Sequence, residues 1–202
     1  MLEIGFAPGK ILAHLAVRRR AHVAGIDFLK SGVHVADRLF RHLGIKGDLR
    51  CEDLFQSSFP EGSFDVVYSL GVVEHFDNPK LVVEHHLRLL RPGGVGLIAI
   101  PNYGGLYGQL QSWLDPANLS LHNLTIMNST ALKALASGPD VDRVEAYSFG
   151  RVNAWLLSLD AKIPRPLAHG FQYLANAVGL IQPFDIGPIC PLLVVEFHKR
   201  DR

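Results

Sequence analysis

The chain has 202 residues, a length that suits one domain with a sizeable core on a scale of roughly 100 to 200 residues per domain. Its 20 Lys and Arg stand against 19 Asp and Glu, so no global charge draws it toward phosphate backbones and nucleic acid is not expected as a partner. Two cysteines, Cys51 and Cys190, cannot form a disulfide framework and fit a reducing, cytoplasmic setting.

The first strand, Leu2-Glu3-Ile4, lies at the extreme amino terminus, with no basic segment and apolar signal core before it. A doubly wound fold usually has something packed over that strand. Either an amino-terminal extension is missing, or the pocket above the strand is more open than usual. Gly5 and Gly9 then allow a tight turn from strand to helix without a side chain filling the ligand's space, and Pro8 pre-sets the backbone near the helix start. From Lys10 to Arg20, Ile11, Leu12, Leu15 and Ala16 recur as a buried helix face requires. Arg18 to Arg20 follow at its carboxyl end, where they either solvate and interact with the helix dipole or hold a phosphate.

Val23 to Asp27 is predicted as a second strand, and Val33 to Leu43 as a helix stopped by Gly44. Asp48 to Cys51 is a short third strand. After a turn at Pro60 to Ser63, Phe64 to Leu70 is too continuously apolar to alternate, which marks a central strand buried on both faces. A helix from Pro79 to Arg91 ends at Pro92-Gly93-Gly94, and Val95 to Pro101 is the fifth strand. This alternation predicts an α/β fold with a parallel sheet and helices on both faces. Two more strands, Val144 to Phe149 and Leu192 to His198, bring the total to seven. The insertions after the fifth and sixth strands are placed at substrate recognition, beyond the carboxyl ends of the strands.

Between Arg151 and Pro188, Trp155, Leu157, Phe171, Tyr173 and Leu180 make an apolar stretch that charged residues interrupt before it reaches the roughly 20 residues of a membrane span. It is read as helical core and lid, or else as a greasy substrate channel or a shallow membrane contact through 151–188.

The glycine loop alone discriminates little. A P-loop needs four residues between its first glycine and Gly-Lys, then Ser or Thr, whereas Gly5 to Gly9-Lys10 has three and Ile11 follows. The nicotinamide fingerprint needs a glycine where Lys10 stands. Several segments taken together are far more specific: Leu2-Glu3-Ile4-Gly5-Phe6-Ala7-Pro8-Gly9, Gly25-Ile26-Asp27, Asp53 twelve residues before Asp65, Ser63 to Val67, Gly71-Val72-Val73-Glu74-His75-Phe76, and Leu90 to Gly94. Over residues 2–102 the chain resembles the class I S-adenosylmethionine-dependent methyltransferases, in their small-molecule, ubiquinone-biosynthesis-like branch. The resemblance implies a Rossmann-like, doubly wound, mostly parallel seven-stranded sheet. It also implies a cofactor-binding half over 1–102 and a substrate region over 103–202.

For the cofactor S-adenosyl-L-methionine, the resemblance places Glu3 at the methionine end and passes the backbone of Gly5, Ala7 and Gly9 beside methionine and ribose. Asp27 accepts from the ribose hydroxyls, Phe28 packs on adenine, Asp53 accepts from the exocyclic amine, and the Leu54 N–H meets a ring nitrogen. Ser69, Leu70 and Gly71 line the floor. His75 orients substrate or acts as a base, or else caps a helix. Tyr103 and His122 are further base candidates. No metal site is expected: His85 and His86 beside Glu84 point apart on a helix and are read as a solvated face. The implied activity is methyl transfer to a small, apolar or amphipathic acceptor. A catalytically silent domain acting as a binding or partner subunit competes with it, favoured by Ala7 where the family carries glycine.

Overall fold

The computed structural model describes residues 1–182 and 185–201. Seven strands form one sheet: β1 (Leu2–Ile4), β2 (Val23–Asp27), β3 (Gly47–Cys51), β4 (Phe64–Leu70), β5 (Leu90–Pro101), β6 (Val141–Phe149) and β7 (Leu192–Lys199). Their order is β3-β2-β1-β4-β5-β7-β6. The first five pair in parallel, and β7 inserts antiparallel between β5 and β6. The predicted mostly parallel, doubly wound sheet is the one observed.

The helices are α1 (Lys10–Arg19), α2 (Lys30–Leu43), α3 (Pro79–Leu89), α4 (Leu106–Leu114), α5 (Pro116–Leu119), α6 (Ser129–Ala136) and α7 (Arg165–Ile181). Because β1 and β2 are covered on both faces, every residue in them is buried, including Glu3 and Asp27. Gly25 leaves room for the ring of Phe6 to cross β2: a Cβ there would fall 2.5 Å from that ring. The larger core cluster packs Leu2, Ile26, Val82, Ile98 and Phe197, and a second gathers Phe6, Leu12 and Phe40 beneath α1 and α2.

Several boundaries differ from those predicted. The second helix starts at Lys30 rather than Val33, because the Leu29 carbonyl accepts the Val33 N–H and adds a turn. The third ends at Leu89, and Pro92-Gly93-Gly94 lies within β5, where pairing jumps from Phe64–Leu90 to Val66–Val95 and Gly93 takes φ +67°. That bulge absorbs the residues expected to separate helix from strand. The sixth strand begins at Val141, three residues early.

Candidate functional site

The strand order reverses between β1 and β4, and a cavity of about 690 Å³ opens there, at the carboxyl ends of β1, β2 and β4. Its size falls in the range of small-molecule sites. Gly5, Ala7, Asp27, Phe28, Asp53, Leu54, Leu70 and His75 all line it.

Gly5 is required twice over. Its φ is +72°, and a Cβ would collide with the Val72 methyl across the turn. Gly5→Ala is therefore expected to cost about 2–4 kcal/mol, from the left-handed backbone plus overpacking. A urea titration checks this, and adding Val72→Ala should recover the steric part.

Asp27 ties the loop together. Its buried carboxylate accepts from the Ala7 N–H at 3.0 Å and the Leu29 N–H at 2.8 Å. A carboxylate offers about four lone-pair sites, so it retains capacity for a diol. Ala7, where the family has glycine, is accommodated by Gly32, whose Cβ would fall 2.5 Å from the Ala7 methyl. Phe28 is 76% exposed on the cavity wall, an apolar face open to a flat ring. Asp53 caps the short helical turn Leu54–Gln56 by accepting from Phe55 N at 2.9 Å, and also lines the cavity. Capping and cavity lining coincide in this residue.

Three expected residues stand off the wall. Gly9 lies behind it as the cap of α1. Glu3 alternates to the far face of β1, where it accepts from the Tyr68 hydroxyl at 2.9 Å. Burial pushes its carboxyl up to about 7 and the Tyr68 hydroxyl upward as well. The structure thus places it beneath the loop, off the cavity lining. Ser69 is buried, with its Oγ 3.0 Å from Nε2 of His86. His86 in turn contacts the Val82 carbonyl through Nδ1 at 2.8 Å. The solvated histidine pair expected on α3 is therefore corrected: His86 points into the core, and His85 stacks edge-on to Phe55. A single apolar face on α3 buries Val82, Val83, His86 and Leu89 together.

Sequence reasoning missed Leu29, Phe55, Val72 and Phe76 on the wall, since loop residues carry no periodicity. It also missed Glu74. Glu74 is 1% exposed, neither carboxylate oxygen has a partner, and burial pushes its carboxyl up to about 7. An acid next to His75 in the quoted motif was the available signal.

One oxygen of Glu74 and one ring nitrogen each from His75 and His122 lie within 4.8 Å of one another, the spacing of groups that can surround one cation. Nδ1 of His75 faces the Leu121 carbonyl at 3.1 Å, and Nδ1 of His122 faces the Asn118 carbonyl at 2.9 Å. A carbonyl only accepts, so each Nδ1 carries the proton and each Nε2 is left as an acceptor. Tyr103 stacks edge-on to His122 but gives its hydroxyl proton to the Leu156 carbonyl, and burial raises its pKa. That removes it as a base candidate.

The family described as "Methyltransferase domain" matches residues 2–98. The "Ubiquinone biosynthesis O-methyltransferase" of Maricaulis maris is 33% identical over 105 residues, 50% of this chain and 40% of the relative. That of Chromobacterium violaceum is 37% identical over 97 residues, 46% of this chain and 40% of the relative. The chain thus spans about two fifths of the length of the curated relatives it matches. In fold it is similar to the plantazolicin methyltransferase BpumL, solved with S-adenosylhomocysteine: TM-score 0.65, 18% identity, 98% of this chain and 75% of that one. Residues 2–98, which carry the glycine loop and the acids at 27 and 53, thus match a methyltransferase domain, set in the seven-stranded order described above.

Proposed function

We propose that this chain transfers the methyl group of S-adenosylmethionine to a protic group on a small, apolar or amphipathic acceptor in the cytoplasm. The carrying observation is the cluster at the cavity edge: two imidazoles with Nδ1 held by carbonyls, beside a buried carboxylate with no partner. The cofactor, when bound, supplies an electrophilic methyl on a sulfonium. The chain's own residues then have two tasks, alignment and proton removal. Alignment in well-oriented systems is worth roughly 7 to 11 kcal/mol.

Asp27 fits the ribose diol, Phe28 offers a face for adenine, and Asp53 with the Leu54 N–H fits the adenine edge. Nε2 of His75 takes the acceptor's proton, and Glu74 and His122 share the resulting charge. The two ubiquinone-biosynthesis relatives are named O-methyltransferases, which supports an oxygen acceptor. The room that Gly32 leaves for Ala7 argues against a silent domain.

Calorimetric titration with S-adenosylhomocysteine tests the cofactor site without knowledge of the acceptor, and one-to-one saturation is expected. A screen of hydroxylated apolar acceptors then compares the parent with His75→Gln. The variant should still saturate with S-adenosylhomocysteine but turn over about 10²–10⁴-fold more slowly. Absence of binding to the parent defeats the cofactor assignment, whereas undiminished turnover by the variant defeats only the role of His75.

A further inference from the structure

The outer face of α7 is built the wrong way round for a helix in water. Leu167, Phe171, Leu174, Val178 and Ile181 recur every three or four residues and so form one stripe along the helix. All five are between 45% and 81% exposed, as are Tyr173 and Leu180 beside them. The inward residues are the small ones: Ala168 and Gly179 are buried, and a Cβ at Gly179 would collide with the Val152 carbonyl. Small residues let the helix sit close to the protein, and the large apolar ones are left facing out. A contiguous patch of this kind marks a partner surface.

We infer that this face lies on a lipid bilayer bearing anionic headgroups. Charge selects that occupant. α7 contains no carboxylate, and cations stand at both ends: Lys162 and Arg165 at its start, and Arg151, whose guanidinium reaches the Leu180 carbonyl at 3.3 Å, at its finish. Asp160, near Arg165, offsets one of these charges. Trp113 and Trp155 are exposed as well, and the Lys162 ammonium lies 4.8 Å above the Trp113 ring. Apolar stripe, rim aromatics and flanking cations are the features of a helix lying in the interfacial plane. A second copy packed on this stripe would bring Arg165 against a helix with no acid to meet it.

Beneath the face lies an apolar cavity of about 190 Å³, lined by Leu106, Leu110, Leu157, Phe171 and Ala175. It gives an acyl chain somewhere to enter. Among the described residues no helix is long and apolar enough to cross a membrane, so the contact is shallow.

Flotation of the whole chain with vesicles tests the inference, using phosphatidylcholine alone and phosphatidylcholine with phosphatidylglycerol. The parent should float with the anionic vesicles, less so with the neutral ones, and lose the difference in high salt. Leu174→Glu with Ile181→Glu should lower flotation by about tenfold or more, and exposure of both residues leaves the melting transition in place. Two results overturn the inference: a parent that stays with the soluble fraction on anionic vesicles, or light scattering that shows a dimer in buffer which the same double variant disperses.

Discussion

Asp27→Ala weakens S-adenosylhomocysteine binding by at least about 100-fold. The carboxylate accepts two backbone N–H groups, one from the glycine loop and one from the start of α2. Hydrogen bonds to a charged group contribute about 1.5–3 kcal/mol each, so releasing two of them loosens the cavity wall by about 3–6 kcal/mol before any contact with ribose is counted. Each 1.4 kcal/mol is a factor of ten. Asp27→Asn should fall between the two, because the amide oxygen can still accept one N–H while its NH₂ opposes the other. Titration calorimetry reads the affinity, and a melt without ligand separates loosening of the loop from loss of the ribose contact. A variant that binds as tightly as the parent would sink the assignment of this residue.

A second large effect is expected from His86, this time in the pH dependence of stability. Burial holds its imidazole at about 4, against an ordinary value of 6.5, and the neighbouring His85 adds to the depression. The folded state therefore refuses a proton that the unfolded chain takes up. Stability is complete above about pH 6.5 and is lost as pH falls toward 4, at about 1.4 kcal/mol per unit and about 3 kcal/mol in all. Glu3 and Glu74 oppose this. Their carboxyls are raised to about 7, so the folded state holds protons there that the unfolded chain has released.

Comparison with His86→Gln cancels the carboxylates, which both chains share. The stability of the parent minus that of the variant should rise between pH 4 and 6.5 and run flat above 7, in urea melts across the range. A difference that does not change with pH would mean that His86 ionises as in water.

What the sequence determined by itself was the part governed by neighbouring residues. Val23–Asp27 and Phe64–Leu70 have the predicted strand bounds, because an apolar run between turn residues is a local signal. The glycine loop with acids at 27 and 53 located the cavity, since strand, turn and acid follow one another at short range. What only the tertiary structure decided depends on elements distant along the chain. Glu3 turns away from the cavity because Tyr68, 65 residues on, receives it from β4. His86 is buried because Ser69 waits beneath α3. His75 meets His122 because Leu121, 46 residues away, folds its carbonyl onto the ring. The apolar stripe of α7 was visible as composition, but which face points outward was set by the small residues that pack closest to the chain beneath. Local propensity determines where elements begin and end; burial, and with it charge state and partner, is settled by what packs against them.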